Sequence, residues 1–266
     1  MQIAILGAGV MGGTLLSAFV RAGHARDDIT ISDKVAGRRD EVGALHGVTA
    51  ADPTVASRGA SVVILAVKPQ EMKALLTEIG HSVEPRALVI SIAAGISTEF
   101  LEAHLPEGTS VVRAMPNTPA LVDEAMSALA LGRHCSIEHG AQAEALLATI
   151  GRVVTLDEQH LDAVTALSGS GPAYIFYVVE AMIEAGVLLG LPRVTATELV
   201  VQTLYGAATM MRQTGQHPTV LREQVSSPGG TSVAALRQLE DHKVRAAFMT
   251  AIEAAARRSH ELSASD

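Results

Sequence analysis

Two short stretches of this chain combine residue types whose spacing could hold anions. Gly7-Ala8-Gly9-Val10-Met11-Gly12 follows an aliphatic run from Ile3 and opens an apolar, helix-periodic segment ending at Gly23. Strand, glycine triplet and helix in that order are the setting of a dinucleotide-binding turn. Gly7 would permit the tight turn, Gly9 would let backbone N–H groups approach a pyrophosphate, and Gly12 would let the helix pack closely on the strand. The anion would then sit at a helix N-terminus, where unpaired donors and the dipole favour negative charge.

The second stretch is Ser226-Ser227-Pro228-Gly229-Gly230-Thr231-Ser232. A flexible Pro-Gly-Gly turn delivers Thr231 and Ser232 to the start of a helix, where two or three N–H groups point outward unpaired. Such a place could cradle a carboxylate. It could equally be an ordinary N-cap, with Thr231 or Ser232 as the capping oxygen.

These residues need elements to hold them. A strand at 29–32 ends at Asp33 and Lys34, where an acid would pair with a free ribose 2′-hydroxyl and basic groups would accommodate a 2′-phosphate. Asp33 suits NAD, whereas Lys34, Arg38 and Arg39 suit NADP, so the cofactor choice stays open at this point. Residues 60–67 form the continuous aliphatic run of a parallel strand buried on both faces. It stops at Lys68-Pro69, with Lys68 beyond a strand's carboxyl end on the cofactor side and Pro69 able to start a helix. A strand at 87–92 leads into Ala93-Ala94-Gly95, small enough for close ligand approach, and a helix follows at 98–105. A strand at 110–115 is followed by the rigid loop Pro116-Asn117-Thr118-Pro119, then a helix at 142–150 and a last strand at 152–156.

Past Leu156 the alternation disappears and helix-periodic aliphatics take over, so the domain boundary is expected near Asp157, dividing 1–156 from 157–266. Helices are expected at 157–167, from 173 through 189, and at 194–213, 233–239 and 242–261, with a segment at 221–225 before the glycine turn and a frayed tail at Ser263-Ala264-Ser265-Asp266. The second of these is apolar almost all round, Glu180 and Glu184 excepted, and must be buried on several sides. A helical unit of this size is marginal alone. A homodimer with a helical interface is therefore expected.

Composition narrows the class. The 266 residues carry a net charge of -8 and no basic block, which argues against general nucleic-acid binding. A single cysteine, Cys135, rules out an internal disulfide and suits a reducing compartment, the cytoplasm being the simplest. The first strand begins at once, without the pattern of a cleaved leader, and Glu180 and Glu184 argue against a membrane span at 173–191. His134, Cys135 and His139 lack the further ligands of a zinc site, so no metal is expected.

Five motifs in order resemble the pyrroline-5-carboxylate reductase family. They are the first glycine turn; Ala66-Val67-Lys68-Pro69; Arg113-Ala114-Met115-Pro116-Asn117-Thr118-Pro119; Ala163-Val164-Thr165 with Ser168-Gly169-Ser170-Gly171-Pro172-Ala173-Tyr174; and Ser227-Pro228-Gly229-Gly230-Thr231. The resemblance covers essentially the whole chain. It implies an α/β fold, with an N-terminal Rossmann dinucleotide-binding domain and a C-terminal all-helical dimerisation domain whose dimers can assemble further. It implies reduction of 1-pyrroline-5-carboxylate to L-proline with NADPH or NADH. Carried over by position, it puts the cofactor, NADP or NAD, near Gly7, Ala8, Gly9, Val10, Met11, Gly12, Val67, Lys68, Ala94 and Asn117, to which the end of the second strand adds Lys34. It places substrate near Glu158, Thr165, Thr231 and Ser232, with Ser227 and Gly230 of the same turn counted as substrate-binding and Thr165 expected at the reacting nitrogen. Two positions depart from many relatives: Asp52-Pro53 replaces an asparagine near the adenosine end, and Ser232 replaces a second threonine. A different two-domain reductase, or a non-catalytic NADP sensor, are the competing readings of the same residues.

Overall fold

The computed structural model describes residues 1–263; the frayed end expected at Ala264, Ser265 and Asp266 lies outside them. By their contacts they divide into two compact units, one of residues 1–170 with the chain's last helical turns from Ala255, the other Gly171–Ala254. The change of sequence texture at Asp157 thus precedes the division by contacts at Ser170.

The first unit is built on an 8-stranded sheet in the order β3-β2-β1-β4-β5-β6-β7-β8. Its strands are β1 (Ile3–Leu6), β2 (Ile29–Ser32), β3 (Thr49–Ala50), β4 (Val62–Leu65), β5 (Leu88–Ser91), β6 (Ser110–Met115), β7 (Ala125–Leu131) and β8 (Gly151–Thr155). All pairings are parallel except β6 with β7. An antiparallel pair can be joined by a short connection, whereas parallel neighbours need a crossover. The helices between strands are α1 (Val10–Arg21), α2 (Ala36–His46), α3 (Pro53–Ser57), α4 (Pro69–Ile79), α5 (Thr98–Ala103) and α6 (Ile137–Leu147).

Side-chain alternation explains why the central strands read as unbroken aliphatic runs. In β1, Ile3 and Ile5 join a core with Leu15, Leu16 and Phe19 of α1 and Leu146 and Leu147 of α6. Ala4 and Leu6 point the other way, into a core with Met72, Leu76 and Ile79 of α4 and Leu101 of α5. Val62 and Ile64 of β4 go to the first core, Val63 and Leu65 to the second. Both sheet faces are covered, as a doubly wound α/β domain requires.

Strand β7 was not expected from the sequence. Its Ala-Met-Ser-Ala-Leu-Ala-Leu run has little β preference, since alanine is depleted in strands. The small side chains have a packing reason: Ala128 and Ala130 form a compact cluster with Leu161 at the start of α7 (Leu161–Val164), a short helix lying over this strand.

Beyond α7 the helix widens into a π-turn over Thr165–Gly169, where the sequence Ser-Gly-Ser-Gly led to an expected break. The second unit carries α8 (Gly171–Leu188), α9 (Arg193–Thr214), α10 (Pro218–Gln224), α11 (Thr231–Asp241) and most of α12 (Val244–Ser263). Gly186 lets α8 meet Ala196 of α9, since an added Cβ would lie 2.9 Å from the alanine methyl. The burial expected for α8 is not met within one chain: none of its residues is buried.

Candidate functional site

The first site starts from the glycine turn after β1. Gly7 has φ +117°, and an added Cβ would stand 2.5 Å from the Ala66 carbonyl oxygen. Gly12 is as constrained, its added Cβ falling 1.9 Å from the Gly7 carbonyl oxygen. Together they seat the first turn of α1 directly over the end of β1. Gly9 caps α1 without a side-chain hydrogen bond, and the first turn holds no acid. The N–H groups of Val10, Met11 and Gly12 find no protein acceptor among the described residues. Space beside Gly9 is open, with nothing within 4 Å of an added Cβ. Donors aimed into open space at a helix start fit a diphosphate.

A cleft of about 560 Å³ adjoins this turn, lined among others by Gly7, Gly9, Ser32, Asp33, Lys34, Arg38, Val67, Lys68 and Glu71. The carboxyl ends of β1, β2 and β4 thus meet in one place, as ligand sites in open α/β sheets do. The buried Ser32 hydroxyl lacks a protein partner among the described residues, a polar atom available at the cleft. Lys68 is the exposed N-cap of α4. Of the expected cofactor residues, Gly7, Gly9, Lys34, Val67 and Lys68 share this cleft; Ala8 and Val10 line the adjoining groove over α1. Ala94 follows β5, partly buried. Asp33 also lines the cleft, with one carboxylate oxygen accepting the Ala8 N–H and the other the Val35 N–H, each at 2.9 Å. Arg38 completes the loop by donating from Nε to the Ala8 carbonyl at 2.6 Å.

Asn117 is fully engaged. Its Oδ1 accepts the Met126 N–H at 2.9 Å, while Nδ2 donates to the Ser168 carbonyl and hydroxyl at 3.1 and 3.2 Å. The amide therefore ties the loop after β6 to the π-turn that begins at Thr165. Gly169 sits under the same tie, an added Cβ there lying 2.7 Å from Met115 Cε. π-turns change helical register at one spot, and here the changed register releases the Ser168 carbonyl to Asn117. Thr165 donates its hydroxyl hydrogen to the Leu161 carbonyl at 2.8 Å. The oxygen keeps lone pairs for an N–H donor.

Glu158 is held within the sheet unit. One oxygen accepts the Thr98 N–H at 2.9 Å and the Arg113 guanidinium at 3.1 Å; the other accepts the Thr98 hydroxyl at 2.5 Å. The carboxylate thus caps α5 and neutralises the buried Arg113, a task that the electrostatics of a helix start favours. Sequence reasoning missed Arg113 as its partner, although a charged residue in an aliphatic strand was the available signal.

In the second unit, the Ser-Pro-Gly-Gly turn closes by a bond from the Gly230 N–H to the Ser227 carbonyl at 2.9 Å. An added Cβ at Gly230 would strike the Ser227 hydroxyl at 2.4 Å. Gly230 caps α11 with no side-chain bond, no acid occupies the first turn, and the N–H groups of Thr231, Ser232 and Val233 lack protein acceptors among the described residues. An ordinary side-chain N-cap is therefore not what this turn makes. Its open donors and two hydroxyls suit a carboxylate.

The histidines and cysteine set aside above do local work. His139 closes a capping box with Ser136 at the start of α6. Cys135 is free, and burial pushes its thiol up from the usual value while Sγ donates to the Val111 carbonyl at 3.0 Å.

Comparison with known proteins bears on the whole chain. Residues 158–262 match a family model described as pyrroline-5-carboxylate reductase dimerisation, and residues 2–95 one described as NADP oxidoreductase, coenzyme F420-dependent. A pyrroline-5-carboxylate reductase of Corynebacterium melassecola is 44% identical over 264 residues, 98% of each chain. The structure of a pyrroline-5-carboxylate reductase from Coxiella burnetii superposes with a TM-score of 0.92 at 35% identity, covering 98% of both chains. That of the Plasmodium falciparum pyrroline carboxylate reductase with NADP bound gives 0.89 at 26% identity, covering 99% of this chain and 98% of that one.

Proposed function

The chain belongs to the pyrroline-5-carboxylate reductase family, and on that premise we propose that it reduces 1-pyrroline-5-carboxylate to L-proline with NADPH or NADH, the last step of proline biosynthesis. The observation that carries this reading is that one chain, related end to end to such enzymes, holds two helix starts with open N–H donors, at α1 and at α11.

The reduced nicotinamide supplies the hydride. The turn from Gly7 to Gly12 binds the diphosphate, and Val67, Lys68 and Ala94 flank the cofactor at the ends of β4 and β5. Thr231 and Ser232 grip the substrate carboxylate with backbone N–H groups and hydroxyls, while Gly230 and Ser227 keep the turn closed beneath them. Fixing the ring in this way converts a bimolecular encounter into an oriented one. Reduction needs hydride at C5 and a proton on nitrogen, and the protonated imine is the electrophile. Thr165 receives the ring N–H: its own hydrogen is committed to Leu161, so it orients the nitrogen rather than donating to it. Asn117 supports it by holding the π-turn.

The working unit in this reading is a homodimer formed through the helical unit, with further assembly of dimers open to it. The exposed apolar residues of α8, among them Phe176 and Tyr177, support this, as does the dimerisation match. Residues 158–188 are long and apolar enough to cross a bilayer by composition. Glu180 and Glu184 favour the interface, because a carboxylate in a bilayer is costly. A half-buried, high-pKa thiol suits the reducing cytoplasm.

The test mixes pure protein, NADPH and 1-pyrroline-5-carboxylate and follows reduced-cofactor absorbance alongside proline formation. Consumption with equal proline supports the reading; tight NADPH binding without turnover would leave a cofactor sensor. Ser232→Ala should raise the substrate KM about tenfold, the cost of a hydrogen bond to a charged group, and leave the cofactor Kd unchanged. Equal changes in both would remove the carboxylate from α11.

A further inference from the structure

Six ionisable side chains gather beyond the end of β2: Asp33, Lys34, Arg38, Arg39, Asp52 and Glu71. By sequence the three cations make a phosphate site. In the fold most of that charge is already spoken for. Arg39 bonds Asp40 at 3.0 Å and also pairs with Asp52. Lys34 pairs with Glu71, which reaches it from the first turn of α4, and both line the cleft. Asp33 already accepts a backbone N–H on each carboxylate oxygen. Arg38 uses only Nε, on the Ala8 carbonyl, and its terminal nitrogens meet no carboxylate among the described residues. Lys34 is held by the hydrogen bond and charge of Glu71, which raise its pKa, so it stays a cation throughout the neutral range and its pairing, rather than its protonation, decides what it can bind.

We propose that Glu71 is a specificity-determining residue that opposes recognition of the adenosine 2′-phosphate by holding Lys34, and that Arg38 is the cation that receives this phosphate. The consequence is a site that takes both cofactors and discriminates between them less sharply than three free cations would. An exposed pair such as Lys34 with Glu71 is individually weak, so a bound phosphate can compete for the lysine at modest cost. Removing the acid should therefore change discrimination by a moderate factor. The proposal rests on the cleft being the dinucleotide site, and its test needs no turnover.

Binding of 2′,5′-ADP and of 5′-AMP to the full chain is measured by titration calorimetry. Glu71→Gln should tighten 2′,5′-ADP about three- to fivefold and leave 5′-AMP within about twofold. Arg38→Ala should weaken 2′,5′-ADP relative to 5′-AMP about tenfold or more, as loss of a charge-assisted bond does. In a Lys34→Met background, the gain from Glu71→Gln should fall below about twofold, since the two act as one coupled pair. An unchanged affinity ratio in Glu71→Gln, or the same gain retained without the lysine, overturns the role of Glu71. A wild-type ratio in Arg38→Ala overturns that of Arg38. If the wild-type chain binds neither nucleotide, the cleft assignment falls first and the proposal with it.

Discussion

The sheet unit and the helical unit spend the same kinds of side chain in opposite ways. In residues 1–170 the leucines, isoleucines and valines of the central strands are sealed between helices on both faces. In residues 171–254 only Ala196 is buried among the described residues, while Phe176, Tyr177, Leu188 and Leu189 stand more than 60% exposed. Apolar area left in water is area not yet contributing to stability. The first unit completes its core from its own chain; the second holds its core in reserve for another copy.

The comparison breaks most visibly at α8. Phe176→Asp should turn the dimer into a monomer at micromolar concentration, read by sedimentation, because it sets a charge on a face that must be dry. A stable dimer in that variant would move the interface elsewhere. Leu15→Ala, in the sheet unit, should cost about 2–5 kcal/mol by denaturant unfolding. Its effect should not depend on protein concentration, whereas stability carried by association does.

Two smaller effects sharpen the picture inside the sheet unit. Gly12→Ala forces apart α1 and the Gly7 carbonyl and should cost about 1–3 kcal/mol while raising the NADPH Kd more than tenfold, measured by fluorescence quenching. Glu158→Gln should cost about 1–2 kcal/mol, because Arg113 and Thr98 lose a charged acceptor, and leave the substrate KM within about twofold. A raised KM with unchanged stability would return Glu158 to the substrate.

Much of this was legible in the residues. The glycine turn, the strands β2, β4, β5 and β6, and the anion-ready start of α11 follow from neighbours in the chain, because a helix N-terminus and a tight turn are made by consecutive residues. Strand β7 was hidden by its alanines, whose purpose lies in Leu161, a residue some thirty positions away. The apolar texture of α8 led to an expectation of burial on several sides, and within one chain none of its residues is buried.

The side-chain partners were a different matter. Glu158 meets Thr98 across 60 residues of sequence, Asn117 meets Ser168 across 51, and Lys34 meets Glu71 across 37. The sequence by itself determined which backbone groups are left open for an anion, since these depend on local geometry and on glycine. Only the tertiary structure decided which charges remain free to use it. A long side chain takes the partner that the fold sets beside it, and spacing along the chain does not record that distance.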